Sequence, residues 1–204
     1  IYFKKVAERI NACIDPNDQR FILILRDPVL RTYSLYWNMI YEGYESLTFR
    51  EAINAEESRL NKNHTNTFGN IRFQYKDSSL YAKQIRRFKK ICPNASWHFI
   101  LLEELNSNPI ETLNKVFDFL KIDRANIATD KISNKSSMPR SILLQNWLNR
   151  NSNTRHFFGR FLPHTLKYKI IDTIKNLNKK KFAYPSIDSD MEKFLREYFI
   201  DDIL

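Results

Sequence analysis

The chain has 204 residues, 43% of them hydrophobic, with 15 Phe, 10 Tyr and 3 Trp but only three glycines and seven prolines. That is enough apolar material for one sizeable core, it excludes a linker, a low-complexity tract or a repeat array, and it predicts a single domain over residues 1–204. The net charge is +10, and between Lys131 and Lys181 twelve Lys or Arg stand against one acid, Asp172; such a field favours an anionic partner without choosing among nucleotide, polysaccharide, nucleic acid and membrane surface.

In chain order, the run Phe21-Ile22-Leu23-Ile24-Leu25 is short, branched and unbroken by polar alternation, as expected of a parallel strand covered on both faces. Asp27 then offers a helix N-cap and Pro28 a first helical residue whose missing N–H costs nothing there. From Val29, the residues Tyr33, Tyr36, Trp37 and Ile40 fall on one helical face, and Arg31, Ser34 and Asn38 share another. A weaker helix is predicted from Thr48 to Leu60, and a loop from Asn61 to Asn70. Ser78 to Ile91 reads as a helix with Tyr81, Ile85 and Phe88 inward and Lys83, Arg86, Arg87, Lys89 and Lys90 mostly outward. Trp97 to Leu102 is a second strand, followed by Glu103-Glu104-Leu105, and Asn108-Pro109 opens a helix to about Leu120. This order implies an α/β fold with a parallel sheet flanked by helices. The C-terminal third is expected to be mostly helical, ending in a helix over Ser186 to Leu204.

In an open parallel sheet, ligands bind beyond the carboxyl ends of the strands, where helix N-termini present N–H groups and a positive dipole end. Arg26 stands at that edge. Its planar guanidinium can hold a phosphate through two parallel hydrogen bonds, and Ser34 on the next helix can add a hydroxyl. Spacing alone leaves a second reading equally open, in which Arg26 and Asp27 only cap the helix and Ser34 is a surface hydroxyl.

The segment LRDPVLRTYSLY resembles the signature of the sulfotransferases that use 3′-phosphoadenosine-5′-phosphosulfate (PAPS), in which a strand ends in Arg-Asp-Pro and a Ser follows on the next helix. The resemblance continues through ESLTFREAINAEESRL and SLYAKQIRRFKKICPNASWHFILLEELNSNPIETLNKVFDFLKI, with Glu-Glu-Leu standing where the family has Glu-Asp-Leu. NKSSMPRSILLQ, Leu162-Pro163 and Asn178 are similar to bacterial, carbohydrate-type members. It implies a P-loop-NTPase-like sulfotransferase fold and transfer of a sulfuryl group from PAPS to a hydroxyl or amine acceptor, with a carbohydrate among the acceptors it allows. It also implies that Arg26 and Ser34 bind the 3′-phosphate, that Tyr81 lies near the nucleotide, and that Asn134, Ser136 and Arg140 belong to a loop closing over it. Tyr81 reads equally as a core aromatic, and Arg140 as part of the basic face.

The family's phosphosulfate loop, with its Lys, Gly and paired Thr or Ser, has no counterpart here, since no glycine precedes Gly43. The first methionine is Met39 and the chain opens on Ile1, so that loop, the first strand and the general base are expected to precede Ile1 or to be absent. No catalytic residue is assigned. His64, His98, His156 and His164 read as structural or solvated, and Glu103 and Glu104, as neighbours on an extended segment, point to opposite faces. Cys13 and Cys92 fit neither a disulfide framework nor a zinc spacing; no metal is expected, and a reducing, cytoplasmic setting is. No apolar stretch approaches the roughly 20 residues that span a bilayer. No GxSxG elbow is present. The rival reading is a non-catalytic anion- or nucleic-acid-binding module, in which Trp147, Phe157, Phe158, Phe161 and Tyr168 stack on bases along the basic stretch; their spacings equally bury them in a helical core.

Overall fold

The structure is a computed structural model and describes residues 5–61, 72–125, 137–141, 144, 169–170, 173–174 and 176–203. Its elements are helix α1 (Val6–Cys13), strand β1 (Arg20–Leu25), helices α2 (Pro28–Tyr41) and α3 (Phe49–Asn61), a 3₁₀ turn (Asp77–Ser79) and helix α4 (Tyr81–Ile91). Strand β2 (Ser96–Leu101), helices α5 (Leu102–Ser107) and α6 (Pro109–Leu120), strands β3 (Ser137–Pro139) and β4 (Lys179–Lys181) and helix α7 (Ser189–Ile203) complete them. None of the described helices is long and apolar enough to cross a membrane.

β1 and β2 pair in parallel, with Arg20 opposite Ser96 and Leu25 opposite Leu101, so the expected parallel sheet flanked by helices is present. The expectation that β1 is covered on both faces is corrected. Leu23 is buried, but Ile22 and Ile24 are 38% and 54% exposed, and Phe99 and Leu101 on β2 are 41% and 47% exposed. Among the described residues this sheet has two strands. Phe88 of α4 meets Phe21 edge-on with ring centroids 5.8 Å apart, and Phe119 of α6 stacks on His98 at 5.2 Å. Side chains beyond the reach of those two helices stay open to solvent.

The described residues fall into two compact units, and the chain passes from one to the other between Thr32 and Tyr33, within α2. The first unit holds β1, β2 and the helices α1, α4, α5 and α6, with residues 192–203 of the last helix. Its buried side chains include Leu23, Val29, Phe88, Cys92, Ile100, Leu195 and Phe199. The second unit is built on an aromatic cluster in which Tyr33, Tyr36, Ile53, Tyr75 and Met191 are buried, with Trp37, Phe49 and Tyr184 packed around them. This is the face of α2 that the sequence marked as apolar. Thr32 is also fully buried, because its hydroxyl donates to Ser79 Oγ at 2.9 Å. Of the C-terminal third, expected to be mostly helical, residues 144, 169–170, 173–174 and 176–177 and α7 are helical, while β4 pairs antiparallel with β3; residues 145–168 lie outside the described residues.

Candidate functional site

β1 ends at Leu25 and α2 begins at Pro28, so Arg26 and Asp27 form the whole connection. Asp27 caps the helix as its sequence position predicts: Oδ1 accepts the Val29 N–H at 2.8 Å and the Leu30 N–H at 3.0 Å. Those donors are therefore already satisfied, and the charged group left at the strand end is the Arg26 guanidinium. Arg26 is half-buried, and among the described residues its only hydrogen bond is made by the backbone N–H, donated to Tyr81 Oη at 3.4 Å.

Tyr81, the first residue of α4, is half-buried as well. Burial pushes its phenol up from the usual tyrosine range, while the Arg31 and Arg26 charges pull the other way. Arg31 lies over the Tyr81 ring with its guanidinium carbon 5.6 Å from the centroid. Its Nη1 donates to Ser78 Oγ at 2.9 Å and to Ser79 Oγ at 3.0 Å. Tyr81 thus meets one arginine through its guanidinium and the other through its backbone, and neither Arg31 nor Arg26 is paired with a carboxylate among the described residues. Half-buried cations without counter-ions carry a desolvation cost that an incoming anion relieves, which is the fit a phosphate requires.

Two carboxylates hold the surrounding backbone. Asp27 Oδ2 lies 3.4 Å from Nη1 of Arg196 on α7, which also pairs with Glu192 at 2.7 Å. Asp202 accepts the N–H groups of Ala82 and Lys83 and so satisfies the first turn of α4. Neither Arg196 nor Asp202, nor the role of Arg31, Ser78 and Ser79, was legible in local pattern; the Arg196–Asp27 pair is separated by 169 residues.

Of the expected site residues, the structure brings Arg26 and Tyr81 together. Ser34 is half-buried on α2 and belongs to the second unit. Arg140 also belongs to the second unit, where it is exposed and its backbone N–H donates to the Asn178 carbonyl. Asn134 and Ser136 lie outside the described residues, as do His64, His156 and His164. His98 stacks on Phe119. The expected opposition of Glu103 and Glu104 is corrected: β2 runs directly into α5, both residues sit in its first turn, and both are exposed. Among the described residues no group of three or more His, Cys, Asp or Glu is placed to hold a metal.

The fold is shared with a solved structure, a sulfotransferase from Alicyclobacillus acidocaldarius. The superposition has a TM-score of 0.55 at 19% identity and covers 86% of this chain and 61% of that one. The chain has a sulfotransferase fold. By sequence it is related to sulfotransferases as well. It is 32% identical over 128 residues, 63% of this chain, to the human heparan sulfate glucosamine 3-O-sulfotransferases 3B1 and 3A1. The matched region spans 30% and 29% of the length of those curated relatives. No family model matches the chain. Within this sulfotransferase fold, Arg26 stands at the carboxyl end of β1, where open parallel sheets take their ligands.

Proposed function

We propose that the chain is a single domain, over residues 1–204, of a sulfotransferase that takes PAPS as co-substrate and passes its sulfuryl group to a hydroxyl or amine of a carbohydrate. The observation that carries this reading is the Arg26 guanidinium at the end of β1, unpaired among the described residues, in a chain similar in sequence to two human sulfotransferases. The 3′-phosphate is assigned to Arg26 and to the Ser34 hydroxyl, with Tyr81 holding the Arg26 backbone beside the nucleotide. Asn134, Ser136 and Arg140 are assigned to the segment that approaches the nucleotide from the C-terminal part of the chain. The carbohydrate acceptor is supported by the acceptor that the relatives' names give, heparan sulfate glucosamine, and by the basic composition between Lys131 and Lys181.

When bound, PAPS supplies an activated sulfuryl group, whose bond to the 5′-phosphate oxygen breaks as a bond to the acceptor oxygen or nitrogen forms. The residues named here bind and orient. Arg26 offers two parallel N–H donors to phosphate oxygens, and Asp27 fixes the direction of α2 that carries Ser34.

Calorimetric titration of the full-length protein with adenosine 3′,5′-bisphosphate and with adenosine 5′-monophosphate tests this. The bisphosphate is expected to bind more tightly, and Arg26→Ala to weaken it about ten- to a hundredfold, the range for a lost charge-assisted hydrogen bond, with the monophosphate little changed. Transfer of labelled sulfate from PAPS to a desulfated glycosaminoglycan tests the acceptor. Equal affinity for any polyanion, unaffected by Arg26→Ala or Ser34→Ala, overturns the reading in favour of a non-catalytic anion- or nucleic-acid-binding module.

A further inference from the structure

Arg31 is half-buried, and its contacts among the described residues are two serine hydroxyls and an aromatic face. The two hydroxyls lie on the 3₁₀ turn immediately before Tyr81, and both serines are buried, Ser79 completely. Ser79 Oγ also accepts the hydroxyl of Thr32, the neighbour of Arg31 on α2. α2 thus grips the turn at two successive residues. Tyr81, next along, accepts the Arg26 N–H through its phenol oxygen and lies under the Arg31 guanidinium. The contacts run from Arg31 through Ser78, Ser79 and Tyr81 to the backbone of Arg26.

We infer that Arg31 is a positioning residue for the anion site: by bridging Ser78 and Ser79 and lying over Tyr81, it holds the Tyr81 hydroxyl against the Arg26 N–H and so aims the Arg26 guanidinium. The inference rests on the 3′-phosphate reading above. The planar fork of arginine is what the geometry uses. One guanidinium nitrogen reaches two hydroxyls while the guanidinium carbon stands 5.6 Å from the Tyr81 ring centroid, and a lysine ammonium supplies the charge at a single point.

The test measures, in the full-length protein, the ratio of affinities for adenosine 3′,5′-bisphosphate and adenosine 5′-monophosphate, alongside the thermal midpoint. Arg31→Ala and Arg31→Lys are both expected to lower the ratio about tenfold, as misdirection of one charge-assisted contact does. Tyr81→Phe is expected to lower it alone and to add little once Arg31 is replaced, because both act through the same contact. Wild-type selectivity in Arg31→Lys overturns the inference, since charge would then suffice. So does a change confined to the thermal midpoint. If Arg26→Ala abolishes selectivity while the Arg31 variants keep it, the positioning role fails and the 3′-phosphate reading stands. If the wild-type protein shows no selectivity, both fall.

Discussion

Asp202 Oδ2 accepts the backbone N–H of Ala82 at 2.9 Å, and its second oxygen takes the N–H of Lys83 at 3.1 Å. A side chain near the end of the chain thus serves as the N-cap of the helix that carries Tyr81. Leu80, which precedes that helix, has no side-chain oxygen with which to do so. Asp202→Ala is expected to cost about 0.5–2 kcal/mol of unfolding free energy, the usual range for a lost cap, and Asp202→Asn less. Urea denaturation checks this, and an unchanged midpoint in Asp202→Ala would show that the cap contributes nothing.

In the second unit, Glu45 is the buried hub. Arg59 reaches both its oxygens, at 2.6 and 3.0 Å, Tyr75 donates its phenol at 2.7 Å, and the Ser46 and Leu47 N–H groups add two more bonds. Burial alone would raise this carboxyl, but the bonds from Arg59, Tyr75, Leu47 and Ser46 together lower it to about 2 from an ordinary 4.5. A depressed folded-state pKa contributes stability that is present above about 4.5 and is lost as pH falls towards about 2. Glu45→Gln is expected to flatten the pH dependence of stability across that window, read by near-ultraviolet circular dichroism during acid titration. A slope equal to wild type would assign the acid sensitivity elsewhere.

Tyr75→Phe leaves one Glu45 oxygen without its phenol donor in a fully buried position. That oxygen keeps its bond from Arg59, so the expected cost is about 1.5–3 kcal/mol, the range for one lost hydrogen bond to a charged group. Chemical denaturation of Tyr75→Phe beside Glu45→Gln would show whether the two losses are shared, as they must be if they report one contact.

The two thiols should separate by accessibility. Cys13 is exposed, whereas Cys92 is fully buried and burial pushes its thiol up. Under native conditions a thiol-specific chromophore is expected to modify one site quickly, Cys13, and to reach Cys92 only on unfolding. Two fast equivalents would contradict the burial of Cys92.

What could be read from sequence was what is encoded by neighbours. The strand at Phe21–Leu25, the Asp27 cap, the Pro28 start and the apolar face through Tyr33 and Tyr36 are all local, and the structure has them. The coverage of β1 was misjudged because an unbroken apolar run reports composition, while exposure depends on which elements lie beside it. Glu103 and Glu104 were misjudged because no Gly or Pro marks the change from β2 to α5, so strand alternation was extended into a helix. The site suffered most from distance. Arg26 announces itself at a strand end, but Arg196 and Asp202 are exposed or half-buried charges on a helix far along the chain, and nothing around them names their partners.

The parallel register that sets Arg20 against Ser96 also orders events in time. Among the described residues three helices, α2, α3 and α4, intervene between the two strands, so the sheet closes only across a long stretch of chain, while those helices form from local contacts. The end of β1 at Leu25 gains its partner, Leu101, only when β2 docks. In a cell the chain must therefore be synthesised past Leu101 before β1 can take up its full parallel register.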